Sequence, residues 1–288
     1  IANSLRFNDG DSAYMNKTFG TPTNTDIWTF SCWVKRSALG TSYFDIFDAY
    51  TDSNNYAQIS FHPDNYLFYY DQQGGAIKAS VSTNRLFRDT SAWYHIVIAA
   101  DTTQSTAANR IKLYVNGTQY TWDNATTYPD QNQDTWMNRA STPHYIGTYS
   151  AGNYFDGYLA EVAFIDGQAL TPTSFGEFDS DSPNIWKPKD VSGLTFGTNG
   201  FYMEFKQSGT GTDSSGMGAD TSGNDNHFAV NNLASDSQTT DTCTNNFATL
   251  NFNNGDGTRT QNDTYSEGNT IMIPANHDNY TTTFATMG

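Results

Sequence analysis

Two short runs decide the fold: Trp93-Tyr-His-Ile-Val-Ile98 and Ile111-Lys-Leu-Tyr-Val-Asn-Gly117. The first is apolar at nearly every position and too short for a helix, so it reads as a strand buried on both faces. The second alternates and then meets Asn116-Gly117, the pair preferred in a two-residue type I′ hairpin turn. Working outward, Ile27–Val34 alternates as well: Trp28, Phe30, Cys32 and Val34 share one face, with Thr29, Ser31 and Trp33 on the other. Leu159-Ala-Glu-Val-Ala-Phe-Ile165 repeats the arrangement and stops at Asp166-Gly167. Further strands are expected at Ser4–Phe7, Phe44–Asp48, Ala57–Phe61, Tyr66–Tyr70 and Gly200–Phe205. Helical periodicity is nearly absent. Strands separated by polar turns at this spacing predict an all-β chain, an antiparallel β-sandwich of the jelly-roll kind.

Composition narrows the function classes. The 288 residues carry 14 Lys+Arg against 30 Asp+Glu, a formal net charge of −16, and only 15% are charged. Such an excess repels phosphate, which excludes nucleic acid as a partner. No apolar run reaches the ~18–20 residues of a membrane-crossing helix, so no membrane partner is expected. Cys32 and Cys243 cannot form a disulfide framework and lack metal-ligand spacing. The 19 Phe, 18 Tyr and 6 Trp supply the surface that a large sandwich must bury.

The charge is unevenly placed. From Gln207 to Gly288 there are nine acidic residues and one basic residue, Arg259, and Ser208–Ala219 is nearly all Gly, Ser, Thr and Asp. Asp213-Ser-Ser-Gly216 is echoed by Asp220-Thr-Ser-Gly223. These features divide the chain into a sandwich over 1–186, an extension strand with a Gly/Ser/Thr-rich linker over 187–246, and the start of a further β module, or a tail packed back on the sandwich, over 247–288.

Five motifs now occur in order: Ser4-Leu-Arg-Phe-Asn-Asp-Gly10, Trp28–Val34, Trp93–Val97, Ile111–Gly117 and Tyr154-Phe-Asp-Gly-Tyr-Leu-Ala-Glu-Val162. Over about residues 1–180 the chain resembles the laminin-G-like, concanavalin A-like jelly-roll superfamily. Where that family often has Asp-Glu-Val in its closing strand, this chain has Ala160-Glu161-Val162. The phrases Phe-Asn-Asp-Gly-Asp-Ser-Ala-Tyr14, Phe-Arg-Asp-Thr-Ser-Ala-Trp-Tyr-His95 and Phe-Ile-Asp-Gly-Gln-Ala-Leu-Thr-Pro172 resemble structural proteins of marine tailed bacteriophages. Gly200–Phe205 and Asp220–Asn224 match a strand and a turn element found C-terminal to the domain in those proteins. The resemblance implies a virion tail-fibre, appendage or capsid-decorating protein. It implies other virion proteins as partners, a homo-oligomer (a trimer by family context), and no catalytic residues.

Candidate sites are nominated by residue chemistry. Exposed Tyr and Trp beside Asn, Asp and Gln suit sugar rings, which present an apolar face edged by hydroxyls. Segments 65–73 and 119–136 have this composition and nominate Tyr70, Trp122 and Trp136 for a host-surface glycan. Calcium is the cofactor that acidic loops would take, and Asp9, Asp11 and Glu161 are its candidate ligands, with the Asp213/Asp220 repeat as a second place. The competing reading is that such side chains cap their own turns. Glu177, Asp179 and Asp181 would share a strand face, as catalytic carboxylates do, but a solvated loop suits them better. The functional expectation is therefore a non-enzymatic structural or adhesion module of a virion. A carbohydrate-binding lectin module is the alternative, and a polysaccharide-degrading enzyme ranks third.

Overall fold

The computed structural model describes residues 1–248 apart from 41 and 151, together with the backbone pairing of Leu250–Asn251 with Phe284–Ala285 and of Thr264–Ser266 with Ile271–Ile273. In chain order the strands begin with β1 (Ser4–Phe7), β2 (Tyr14–Thr18), β3 (Ile27–Arg36) and β4 (Phe44–Asp52). Next come β5 (Asn55–Phe61), β6 (Tyr66–Gln73), β7 (Ala76–Leu86), β8 (Tyr94–Asp101) and β9 (Ile111–Val115). After these lie β10 (Thr118–Tyr120), β11 (Pro143–Ile146), β12 (Gly157–Asp166), β13 (Gly176–Phe178) and β14 (Trp186–Pro188). The last are β15 (Phe201–Met203), β16 (Ala229–Asn231) and β17 (Gln238–Thr239).

Two antiparallel sheets face each other, as the alternation predicts. The first runs β10-β9-β8-β3-β12-β1-β17, with β15 also on β12, and the second runs β16-β2-β11-β4-β5-β6-β7. Trp28, Phe30, Cys32 and Val34 all enter the core between them, joined by Ile96 and Ile98 of β8 and by Phe47 and Ile59 of the second sheet. Each fully buried side chain of this size contributes about 1.5–3 kcal/mol. Phe30 lies flat on Phe47 at 5.0 Å, and the Trp28 indole N–H donates to Thr135 Oγ1 at 2.8 Å.

The β9–β10 hairpin turns at Asn116 and Gly117, both at positive φ, as a type I′ turn requires. A Cβ on Gly117 would stand 2.3 Å from the Trp186 ring, so the turn needs glycine for its neighbour as well as for its backbone. In β12 the pairing with β3 slips between Ala160 and Ala163, and Glu161 takes φ 49°. This bulge lets Leu159 pair with β1 while Val162–Phe164 pair with β15.

β8 is buried on both faces, as its apolar run predicts, because residues 170–203 fold across the first sheet. Phe175, Val191, Phe196 and Tyr202 pack on Val97, Tyr114 and Ile165, and Trp186 packs with Trp33, Trp93 and Tyr158. One expectation changes: the segment 187–246 is no linker. It gives β15 and β17 to the first sheet and β16 to the second, and Phe201, Met203, Phe205, Met217, Phe228 and Leu233 join the main core. Its polar repeats make turns rather than slack: Asp213 accepts from the Ser215 amide and hydroxyl, and Asp220 accepts from the Tyr202, Ser222 and Asn226 amides. Asp241 anchors the end, with Lys35 Nζ at 3.0 Å and the Trp93 indole N–H at 3.2 Å. The expected further module over 247–288 falls largely outside the described residues.

Candidate functional site: a tyrosine-lined cleft

Whereas the first sheet is covered, the outer face of the second sheet is open. In β5, Ala57, Ile59 and Phe61 enter the core, so Tyr56, Gln58 and Ser60 face outward. Leu67 and Tyr69 of β6 likewise point in, leaving Tyr66, Phe68 and Tyr70 outside. Together with Tyr43, His62, Ser80, Ser82, Tyr149 and Asn153 these aromatic and polar residues, Ser60 excepted, line a cleft of about 420 Å³. Tyr56 and Tyr70 stack at 5.5 Å with 22° between planes, and His62 lies on Tyr66 at 4.2 Å and 9°. Tyr149 stands edge-on to Tyr56 at 5.3 Å. Burial, then the neighbouring Tyr70, pushes the Tyr56 hydroxyl up to about 12, so it stays a neutral donor. The Tyr70 hydroxyl donates to Gln72 Oε1 at 3.0 Å, which fixes its ring.

Under the cleft lie two buried carboxylates, Asp45 and Asp48, which the sequence reading did not single out. Burial pushes Asp45 up to about 8; burial, followed by the charge of Asp45, holds Asp48 well above the usual carboxylate range.

The expected site residues separate. Tyr70 is in the cleft. Trp122 is 5% exposed, packs in the main core, and donates its indole N–H to the Ile111 carbonyl at 3.2 Å, so it is a structural residue and not a surface platform. Its loop folds inward because a ring of that size is held more favourably in the core than in water. Trp136 is partly buried against the core, its amide held by Asp71 at 2.7 Å and its ring under Arg139.

The calcium candidates do not come together. Asp9 and Asp11 sit in a 3₁₀ turn after β1, where the Asn8 side-chain amide donates to Asp11 and its side-chain oxygen accepts from the Gly10 N–H. Because Leu5 pairs with Leu159 and Phe7 with Gly157, that turn lies past the start of β12, while Glu161 lies farther along β12. The Glu161 carboxylate instead accepts from the Tyr202 hydroxyl, and burial followed by Glu204 pushes it up to about 7. Among the described residues no three metal-binding side chains cluster.

Catalytic arrangements can be tested in the same way. Glu177 lies on β13, and Glu177 and Asp179 both face Lys187 of the β13–β14 hairpin at 3.6 and 3.5 Å, on the surface. Ser31 Oγ is 3.0 Å from His95 Nε2, but the Trp186 indole N–H donates to His95 Nδ1 at 2.9 Å. That leaves the ring proton on Nε2, so the imidazole cannot take the serine proton. The space beside this pair is about 10 Å³, room for a water and no substrate.

Comparison with known proteins agrees with the architecture. No curated protein matches the sequence. Among solved structures, a Bacteroides ovatus protein to which carbohydrate binding is ascribed superposes with TM-score 0.53 at 16% identity, over 83% of this chain and 60% of that one. The chain thus spans less than two thirds of that structure's length. A heptameric SAP-like pentraxin of Limulus polyphemus gives TM-score 0.41 at 15% identity, over 59% of this chain and 78% of its own. Domain 4 of an extracellular arabinanase of Geobacillus stearothermophilus, in complex with arabinotriose, gives 0.39 at 19%, over 51% and 64%. Residues 9–174 match the family model Laminin_G_3. With more than half of its length in that match, the chain belongs to the Concanavalin A-like lectin/glucanases superfamily.

Proposed function

We propose that the chain is a non-enzymatic adhesion module that docks neutral sugar rings in the tyrosine-lined cleft, displayed on the virion of a tailed bacteriophage. The observation that carries the binding half is the stacked Tyr56–Tyr70 pair beside Gln58, Ser80 and Ser82. Aromatic faces take the apolar side of a sugar ring, and amide and hydroxyl groups at the rim take its hydroxyls. The formal charge of −16 favours neutral glycans over acidic ones. The activity ascribed to the Bacteroides ovatus protein is in line with this reading.

The virion half rests on the phage-like phrases around Tyr14, His95 and Pro172. Other virion proteins would be the structural partners, and a homotrimer the assembly. The same cleft would serve equally in a lectin module outside a phage. Mass spectrometry of purified particles separates the two, since absence of the chain from intact virions removes the first. For the cleft, binding to an array of bacterial surface polysaccharides and neutral oligosaccharides should fall about tenfold, ~1.4 kcal/mol, in Tyr70→Ala. Equal binding by Tyr70→Ala and the unaltered chain would remove the cleft from the account.

A further inference from the structure

We propose that Lys35 and Asn246 join in an intramolecular isopeptide bond, formed by the chain itself with the buried Asp241 beside them as proton carrier. Lys35 is the one buried lysine among the described residues. Val34 points into the core, so Lys35 shares the outer face of the first sheet with Trp33. Asp241 and Asn246 come from the end of the returning segment. Thr242 and Asn245 pair as the ends of a tight turn, which sets the residues just outside them side by side. Lys35 Nζ meets both: it stands 3.0 Å from Asp241 Oδ2 and 2.7 Å from Asn246 Oδ1, and it also donates to the Phe247 carbonyl at 3.1 Å.

A carboxylate suffices to pair a buried ammonium, and a side-chain amide adds nothing to the charge balance. Yet the amide is the shorter contact. Its carbonyl carbon lies one bond of ~1.23 Å beyond the oxygen, so Nζ is within about 4 Å of Asn246 Cγ, close to the reach of direct attack. The Lys35 and Asp241 side chains are only 1% and 3% exposed. Burial, opposed by Asp241, lowers Lys35 from the usual lysine range and favours the neutral amine, the nucleophilic form. The Trp93 indole N–H and the Phe247 N–H, both at 3.2 Å, hold the other oxygen of Asp241 in place.

The step balances without a co-reactant. Asp241 takes a proton from the Lys35 ammonium. The Nζ lone pair then attacks Asn246 Cγ, and the carbonyl π pair moves to Oδ1. Asp241 passes its proton to Nδ2 and collects the one released by Nζ. As the carbonyl re-forms, the Cγ–Nδ2 bond breaks, ammonia leaves, and Asp241 remains as the neutral acid. Asn246 lines a cavity of about 300 Å³ with Trp33, Trp93 and Trp186, which gives ammonia its exit. The two joined residues are 211 apart in sequence, so the bond ties the returning segment to the first sheet and closes a long loop. It stands independently of any glycan.

The test is intact mass spectrometry of the full chain, followed by peptide mapping with a lysine-specific protease. The expected result is a mass one ammonia below that of the sequence, no cleavage after Lys35, and a branched peptide joining Lys35 to Asn246. Asn246→Ala removes the acyl carbon and should show the mass of its own sequence, with Lys35 cleaved. It should still fold, because Lys35 keeps Asp241 and the Phe247 carbonyl, and an unchanged circular dichroism spectrum checks this. Asp241→Ala should likewise leave the bond unmade. A full sequence mass for the unaltered chain would overturn the proposal. So would ammonia lost without a branched peptide, or a branch at Lys35 that survives Asn246→Ala.

Discussion

The two outer faces of this sandwich are built from similar residues and do opposite things. On the first sheet, Trp33 and Trp93 lie under the chain that returns over 170–247, which lays its own Trp186 against them; all three are at most 9% exposed, and the Trp93 and Trp186 indole N–H groups are spent on Asp241 and His95. On the second sheet no described segment returns over β5 and β6, and Tyr56, Tyr66 and Tyr70 remain partly exposed around a cleft. An aromatic residue is a binding surface only where the fold leaves its face uncovered. Composition cannot say which face that is, because coverage is decided by the path of chain more than seventy residues away.

This contrast can be broken experimentally from either side. The covered face should fail by unfolding. Asp241→Ala leaves the buried Lys35 without its counter-charge, held only by Asn246 Oδ1 and the Phe247 carbonyl, and should lower stability by about 3–5 kcal/mol in urea titration. A loss below about 1 kcal/mol, the level of a surface ion pair, would mean that the returning segment is not firmly docked. Trp122→Ala empties a core position and should cost about 3–5 kcal/mol, whereas Trp136→Ala, partly buried at the core edge, should cost less. The reverse order would restore Trp122 as a surface residue.

The buried carboxyl groups of both sheets should respond to pH, Asp45 and Asp48 on the open one and Glu161 on the covered one. The folded-state values of Asp45, Asp156 and Glu161 are raised to about 8, 7 and 7, chiefly by burial, and Asp48 is raised as well. Groups raised in the folded state hold protons that the unfolded chain has lost, so their contribution is complete below about pH 4 and lost as pH passes 7 to 8. His95 and His144, lowered by burial to about 3 and 4, act oppositely, but only below about pH 6.5. Stability should therefore fall as pH rises from about 4 to 8, unopposed by the histidines above about 6.5, by up to about 1.4 kcal/mol per pH unit for each retained proton. Asp45→Asn/Asp48→Asn should flatten part of that slope, and an unchanged slope would place the titrating groups elsewhere. The smallest effect is the loss of about 1.4 kcal/mol in glycan binding expected for Tyr70→Ala, with no change in stability beyond the lost ring stacking.

Much of the fold was legible because burial imposes period two. Ser4–Phe7 is found as a strand with those bounds, and the alternation of Ile27–Val34 sorts its side chains correctly between core and outer face. β7 was not legible: Ala76-Ile-Lys-Ala-Ser-Val-Ser-Thr-Asn-Arg-Leu86 is an edge strand whose inward positions include the small Ala79 and Val81. Nor was the 187–246 segment, whose apolar residues come singly and enter the core from turns held by Asp213 and Asp220. At the site, Tyr70 was nominated by the composition of residues 65–73, and alternation in β6 also turns it outward. Tyr56 and Gln58 could have been found the same way, opposite Ala57 and Ile59. Asp45 and Asp48 could not, since counting by twos puts them on opposite faces and only the bulge reunites them. Trp122 was misplaced because Thr121-Trp-Asp-Asn124 has the composition of a surface loop while long-range packing buries its ring.

The most direct measurement is backbone amide NMR of the chain titrated with a binding oligosaccharide from the array. Binding in the cleft should move shifts in β5, β6 and β7, around Tyr56, Gln58, Tyr70 and Ser80, and leave residues 170–203 unmoved. Changes concentrated on the covered face, around Phe175, Trp186 and Phe196, with β5–β7 silent, would contradict it.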